Sequence, residues 1–211
     1  MTTALAEPHA RTASPYRLGF TRLLHAEWIK LATLRSTWWS VGITAILTIG
    51  IAALIAQVSQ GDGFDGIQAV VSPIQFTMLL AGILGAIAVT GEYSTGMIRS
   101  TLTAAPRRGA ALAAKAAIVG AFMFVVAFVI FIGAALVVTV MLAGQDSAIT
   151  WGDPAGSVMP ILAASLSMAV FALIGLSFGF VLRSGAGAIA ATVGLLFVLP
   201  IVASFFNFGD P

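Results

Sequence analysis

The 211-residue chain is 59% hydrophobic and 9% charged and has no cysteine, against roughly 45–50% apolar and about 25% charged in ordinary soluble domains. Ten Lys and Arg with eight Asp and Glu are too few to cover a folded surface, which excludes a water-soluble globule and makes lipid the missing boundary. The lack of cysteine excludes disulfides and thiolate chemistry, and a net charge of +2 gives no support to nucleic-acid binding.

Residues 1–15 are small, polar and Pro-containing and read as a flexible cytoplasmic tail. Their Ser, Thr and Arg content is also compatible with an organelle transit peptide. Residues 16–37 are predicted to form an amphipathic interfacial elbow helix. At 100° per residue Phe20, Leu23, Leu24, Trp28, Leu31 and Leu34 share an arc of about 140°, while Arg22, His25, Lys30 and Thr33 point elsewhere. Trp28 is then placed at the membrane interface. Glu27 falls inside the apolar arc. It is expected to seek a cation or a backbone donor, either by snorkelling near Lys30 or on a neighbouring chain.

Residues 38–206 read as an all-α transmembrane domain with five spans, 38–57, 70–90, 116–143, 158–182 and 186–206. Each reaches the ~20 residues that cross a bilayer, and the third and fourth are long enough to need tilt. Trp38 and Trp39 open the first span, which reads as a retained anchor, since no apolar run precedes it. The connections alternate in sign. All ten cations lie before span one, between spans two and three, or between four and five, whereas Asp62, Asp65, Asp146, Asp153 and Asp210 occupy the other side. The positive-inside rule puts the N-terminus in the cytoplasm and residues 207–211 outside.

No span contains Asp, Glu, Lys, Arg or His, so the relays of ion-coupled transport are missing. Hydroxyls such as Thr44, Thr48, Thr77, Ser165 and Thr192 are assigned to helix packing. Gly175-Leu176-Ser177-Phe178-Gly179 matches the G-x-S-x-G nucleophile pattern, but the two histidines, His9 and His25, both lie in the N-terminal segment. Gly175 and Gly179 read instead as a small-residue packing face. The G-x-G-x-x-A match at residues 185–190 follows no strand, and there is no phosphate-binding loop sequence. The chain is expected to carry no catalytic, metal or cofactor site of its own.

Residues 91–115 form the informative connection. Gly91 and Pro106 bracket a stretch able to form a short helix. Glu92, Tyr93, Arg99, Arg107 and Arg108 give it a polar surface, and Met97, Ile98 and Leu102 are suited to pack back toward the spans. Topology accounts for the arginines but not for the acidic-aromatic start or for Gly96. Glu92 and Arg99, seven residues apart, are expected to share one face of this helix.

Gly91-Glu92-Tyr93-Ser94-Thr95-Gly96-Met97-Ile98-Arg99, followed by Pro106-Arg107-Arg108, resembles the cytoplasmic connection after the second span in ABC transporter permeases of the type-2 exporter class. Glu27-Trp28-Ile29-Lys30-Leu31 and Leu34-Arg35-Ser36-Thr37-Trp38-Trp39 look like the elbow region of bacterial members. The resemblance implies a multi-pass plasma-membrane subunit that pairs with a second permease copy, as a homo- or heterodimer, and docks a separate ATPase subunit holding ATP and Mg. It implies coupling to that subunit through Glu92, Tyr93, Gly96, Arg99, Arg107 and Arg108. Glu27, Trp28, Lys30, Arg35, Trp38 and Trp39 would form the elbow and its interface, and the cargo would be a hydrophobic or amphipathic drug, peptide antibiotic or lipid. Such permeases usually have six spans, so either a sixth is missing or the protein is a short member. The alternative is a non-transporting membrane scaffold or immunity-type protein that binds a cytoplasmic partner through the same segment.

Overall fold

One extended residue separates the first two helices. In the computed structural model, which describes residues 19–58, 65–104 and 108–206, α1 (Phe20–Thr33) ends at Leu34 and α2 (Arg35–Val58) begins at once. Leu34 has φ −73° and ψ 117°, outside the helical region. The single elbow helix expected over 16–37 is therefore divided: residues 35–37 belong to the first span, and 16–18 lie outside the described residues. The indole of Trp38 donates to the Ala32 carbonyl across the break at 2.9 Å, meeting one of the acceptors that the end of α1 leaves open.

The remaining elements are α3 (Gly66–Val71), α4 (Ile74–Ser94), α5 (Met97–Ala104), α6 (Arg108–Met141), α7 (Pro154–Leu182), α8 (Gly185–Val193), a π turn at Gly194–Val198, and α9 (Leu199–Phe205). Among the described residues every regular element is helical. Five stretches are long and apolar enough to cross a membrane: Arg35–Val58, Gly66–Ser94, Gly109–Met141, Pro154–Leu182 and Gly185–Phe205. They contain the hydropathic cores of the predicted spans but extend past several ends. Hydropathy reads only apolar content, whereas a helix continues until a cap or a breaker stops it. Asp153 caps α7 by accepting from the Ala155 amide at 3.0 Å, with Pro154 in the first turn. The second span is interrupted at Ser72 and Pro73, leaving α3 as a separate buried turn. Asp65 caps α3 at the Ile67 amide, and the Gly66 amide donates to the Ser147 carbonyl at 2.9 Å. In the last span, the π turn precedes Pro200, whose missing amide and bulky ring disturb the i to i−4 ladder.

α4 and α7 meet backbone to backbone. A Cβ on Gly85 would lie 1.9 Å from the Ala172 carbonyl oxygen, one on Gly175 1.9 Å from that of Gly82, and one on Gly179 3.1 Å from that of Ala86. Only glycine permits such an approach, so the small-residue face read at Gly175 and Gly179 contacts α4. Phe131, Leu142, Ile161, Met168 and Leu176 are the largest fully buried side chains of the core, to which α2, α3 and α4 also contribute. Several buried hydroxyls are satisfied within their own helices: Thr48 donates to Thr44, Ser165 to Ile161 and Thr192 to Ala188, at 2.7, 2.7 and 2.8 Å. This back-bonding lets a hydroxyl enter an apolar core without a partner helix.

Candidate functional site at the elbow end

Glu27, one turn before Lys30 on α1, projects from the apolar side of its helix and is only 7% exposed. An isolated carboxylate in that position would carry a large desolvation cost. It is met by two lysines. Lys30 donates to Glu27 Oε1 at 2.7 Å and to Glu92 Oε1 at 3.0 Å. Lys115, from the second turn of α6, donates to Glu27 Oε2 and, at 2.8 Å, to Glu92 Oε1. Glu92 comes from the last turns of α4, and both it and Lys115 are 6% exposed. Four side chains from three helices thus close a ring, Glu27–Lys30–Glu92–Lys115, whose formal charges cancel.

Lys30, with its side chain 29% exposed, is the least buried member. Burial by itself would lower its pKa, but the hydrogen bonds and charges of Glu27 and Glu92 outweigh burial and raise it. The ring leaves one acceptor unused. Glu92 Oε1 takes both ammoniums, while Glu92 Oε2 is buried without a hydrogen-bond partner among the described residues. Beside the ring is a cavity of about 460 Å³, lined by all four charged residues and by apolar side chains including Leu84, Ala88, Val119 and Phe122. Trp28 and Trp38 pack edge-on against Phe122, with ring centroids 6.0 and 6.4 Å away.

Glu92 and Arg99, expected on one helix face, are on different helices. Gly96 has φ +72°, a left-handed conformation that ends helices because glycine adopts it without a Cβ penalty. The Gly96 amide turns back to the Tyr93 carbonyl at 3.2 Å, and Thr95 Oγ1 bonds to the Gly91 carbonyl at 2.8 Å. α4 therefore stops at Ser94 and α5 starts at Met97. Glu92 points into the ring and Arg99 is exposed. Tyr93 is half-buried, and the guanidinium of Arg183, in the turn after α7, lies 6.0 Å from its ring centroid. Arg35 and Trp39 are exposed at the start of α2. Arg107 and the side chain of Arg108, which opens α6, lie outside the described residues.

Lys115 is the member that sequence reading left aside, because it counted only as one more cation on the cation-rich side. The available signal was acidic: Glu27 and Glu92 sit beside apolar spans among many cations, and positive-inside topology does not call for carboxylates there. Glu27 does not snorkel to water: it is buried and takes the other expected course, pairing to cations, with Lys30 on its own helix and with a lysine 88 residues away.

These features define an all-α multi-pass membrane protein with an ionic ring at one end of its helix bundle. No family model matches the chain, and no curated protein matches it.

Proposed function

We propose that this chain is the membrane-spanning permease subunit of an ATP-driven ABC export complex. Its N-terminus is cytoplasmic, in a bacterial inner membrane, and it works with a second permease copy and a separate ATPase subunit that supplies ATP and Mg. The observation that carries the reading is the ionic ring, together with the position of α5. α5, on which Met97 and Arg99 are exposed, follows α4 across the Gly96 turn, and Glu92 near the end of α4 is bonded to both α1 and α6. A force applied to α5 by a nucleotide-driven partner is thereby shared among three helices rather than lost in a loop. Such transmission needs a rigid contiguous path, and a buried ring of charges bound by hydrogen bonds resists separation because each charge freed is left uncompensated.

Arg99 is the docking residue, exposed on α5 and able to make a forked contact that lysine does not reproduce. Tyr93, Gly96, Arg107 and Arg108 belong to the same docking region, and Gly96 sets the angle of α5. Cargo that is hydrophobic or amphipathic suits spans in which buried hydroxyls such as Thr48, Ser165 and Thr192 bond to their own helices. The test is reconstitution with a candidate ATPase subunit, together with co-purification of the pair. Arg99→Ala should lower co-purification of that subunit and substrate-stimulated ATP hydrolysis together, by the roughly 2–5 kcal/mol that truncating a buried interface charge costs. If Arg99→Ala equals wild type in both, α5 docks no ATPase and the permease reading falls in favour of a membrane scaffold.

A further inference from the structure

The cavity beside the ionic ring is graded from apolar to polar. Its floor is formed by Leu84 and Ala88 of α4 and by Ile118, Val119, Phe122 and Met123 of α6. Towards the elbow end the lining carries hydroxyls: Thr33 closes α1, Ser36 stands in the first turn of α2, and Ser94 and Thr95 end α4, all four exposed. Leu34 and Ile87 line the cavity and are exposed too, so its opening runs from hydroxyls to apolar side chains. An opening of that kind matches the boundary between headgroups and hydrocarbon. The exposed Trp38 and Trp39, just beyond Ser36, mark the same level, since indoles settle there.

The charge at this opening has one sign. Among the described residues Glu27 and Glu92 are the carboxylates at this end, and both are buried and bonded to lysines. Lys30 is the ring member that water reaches most, and Arg35, between the lining residues Leu34 and Ser36, is exposed. The opening therefore presents positive charge although the ring itself is neutral.

We propose that this cavity binds one acyl chain of an anionic phospholipid, the chain lying against Ala88, Val119 and Phe122 and the phosphate resting at the hydroxyl rim in the field of Lys30 and Arg35. Its volume of about 460 Å³ falls within the roughly 300–1,000 Å³ of small-molecule pockets, so a chain enters while the headgroup stays at the rim. Charge selects the head: one basic side chain at an anionic membrane surface is worth about fivefold in affinity. A choline head brings its own cation to the same arginine and forfeits that gain. Thr33, Ser94 and Thr95 have given their protons to the carbonyls of Ile29 and Gly91. Their oxygens therefore meet the head as acceptors, for its hydroxyls or its water, and the phosphate is left to the cations. The site requires the folded chain in a bilayer and no ATPase, so it stands or falls apart from the transport reading.

The test uses the full chain in phosphatidylcholine vesicles containing a small fraction of a phosphatidylglycerol or a phosphatidylcholine probe, each with a diazirine midway along one acyl chain. After photolysis, labelled residues are found by peptide mass spectrometry. The phosphatidylglycerol probe should label Ile118, Val119 and Met123 about fivefold more than the phosphatidylcholine probe does. Val125 and Val129, exposed on α6, report ordinary lipid contact and should be labelled nearly equally by the two. Arg35→Gln should remove most of the preference in the cavity, and Arg35→Lys should keep it. Ala88→Phe, which fills the floor and leaves every charge in place, should abolish cavity labelling by both probes; if it fails to fold, the Arg35 variants, at an exposed position, still decide. Equal cavity labelling by the two probes would overturn the proposal. A preference as large at Val125 and Val129 as in the cavity, or cavity labelling that survives Ala88→Phe, would overturn it as well.

Discussion

Lys115 and Lys30 contact the same two carboxylates from different surroundings, and the difference sets what each contributes. Lys115 is 8% exposed at its side chain and Lys30 29%. Removing Lys115 leaves two buried carboxylates with one shared cation, and breaking a buried pair from one side costs about 3–5 kcal/mol. Removing Lys30 leaves a ring that water partly reaches, at a smaller cost of about 1 kcal/mol. Lys115→Ala should thus lower the thermal midpoint in detergent clearly more than Lys30→Ala; equal losses would show that the ring is solvated throughout. The pH response follows from the direction of the Lys30 shift. Its pKa is raised from the ordinary value of 10.5, so its link is fully present below that value and lost as pH rises through the raised one. The stability gap between wild type and Lys30→Met should stay constant from neutral to mildly alkaline pH and close above 10.5. Chemical unfolding over a pH series reads this directly, and a gap that closed near neutrality would contradict the paired geometry.

At the scale of helices, the α4–α7 contact and the Gly96 turn make opposite demands on glycine. Gly85 and Gly175 face carbonyl oxygens 1.9 Å from where a Cβ would stand, whereas Gly50 has nothing within 4 Å. Gly85→Ala and Gly175→Ala should each destabilise by about 1–3 kcal/mol through overpacking of backbone that has no room to move. Gly50→Ala should be neutral or stabilising by up to about 1 kcal/mol, because alanine is the better helix former. Parallel unfolding curves for the three variants give the comparison. Gly96 has open space around it as well, but its φ of +72° charges any Cβ about 1–3 kcal/mol. Gly96→Ala should therefore favour continuation of α4 into α5, detectable as a changed distance between spin labels on Thr103 and Leu112.

The molecule as a whole is asymmetric in charge along its bundle axis. Among the described residues Lys30, Arg35, Arg99, Lys115 and Arg183 gather at the elbow end, and Asp65, Asp146 and Asp153 lie at the other. The close contact of Gly66 with Ser147 holds the acidic end together, as the ring holds the basic end. On the proposed topology, with the N-terminus inside, Thr150→Cys should react with an impermeant thiol reagent in intact cells and Thr103→Cys should not; the reverse pattern would invert the topology. Both positions are exposed at their ends, so access rather than burial decides the result.

The sequence by itself determined the solvent, the helical class and the five spans, because bilayer thickness sets a length and lipid sets a composition that local windows of residues must meet. It also placed Gly175 and Gly179 on a packing face, since their four-residue spacing puts them on one side of any helix. Only the tertiary structure decided how Glu27, Lys30, Glu92 and Lys115 meet, for these residues come from three helices and no local period relates them. The end of α4 at Gly96 depended on a backbone conformation that glycine permits but does not compel, and so the shared face expected for Glu92 and Arg99 was not realised. The unused oxygen of Glu92 is further still from the sequence: which lone pair remains unpaired depends on where two lysines approach, and that is fixed by the packing of α1 and α6 against α4.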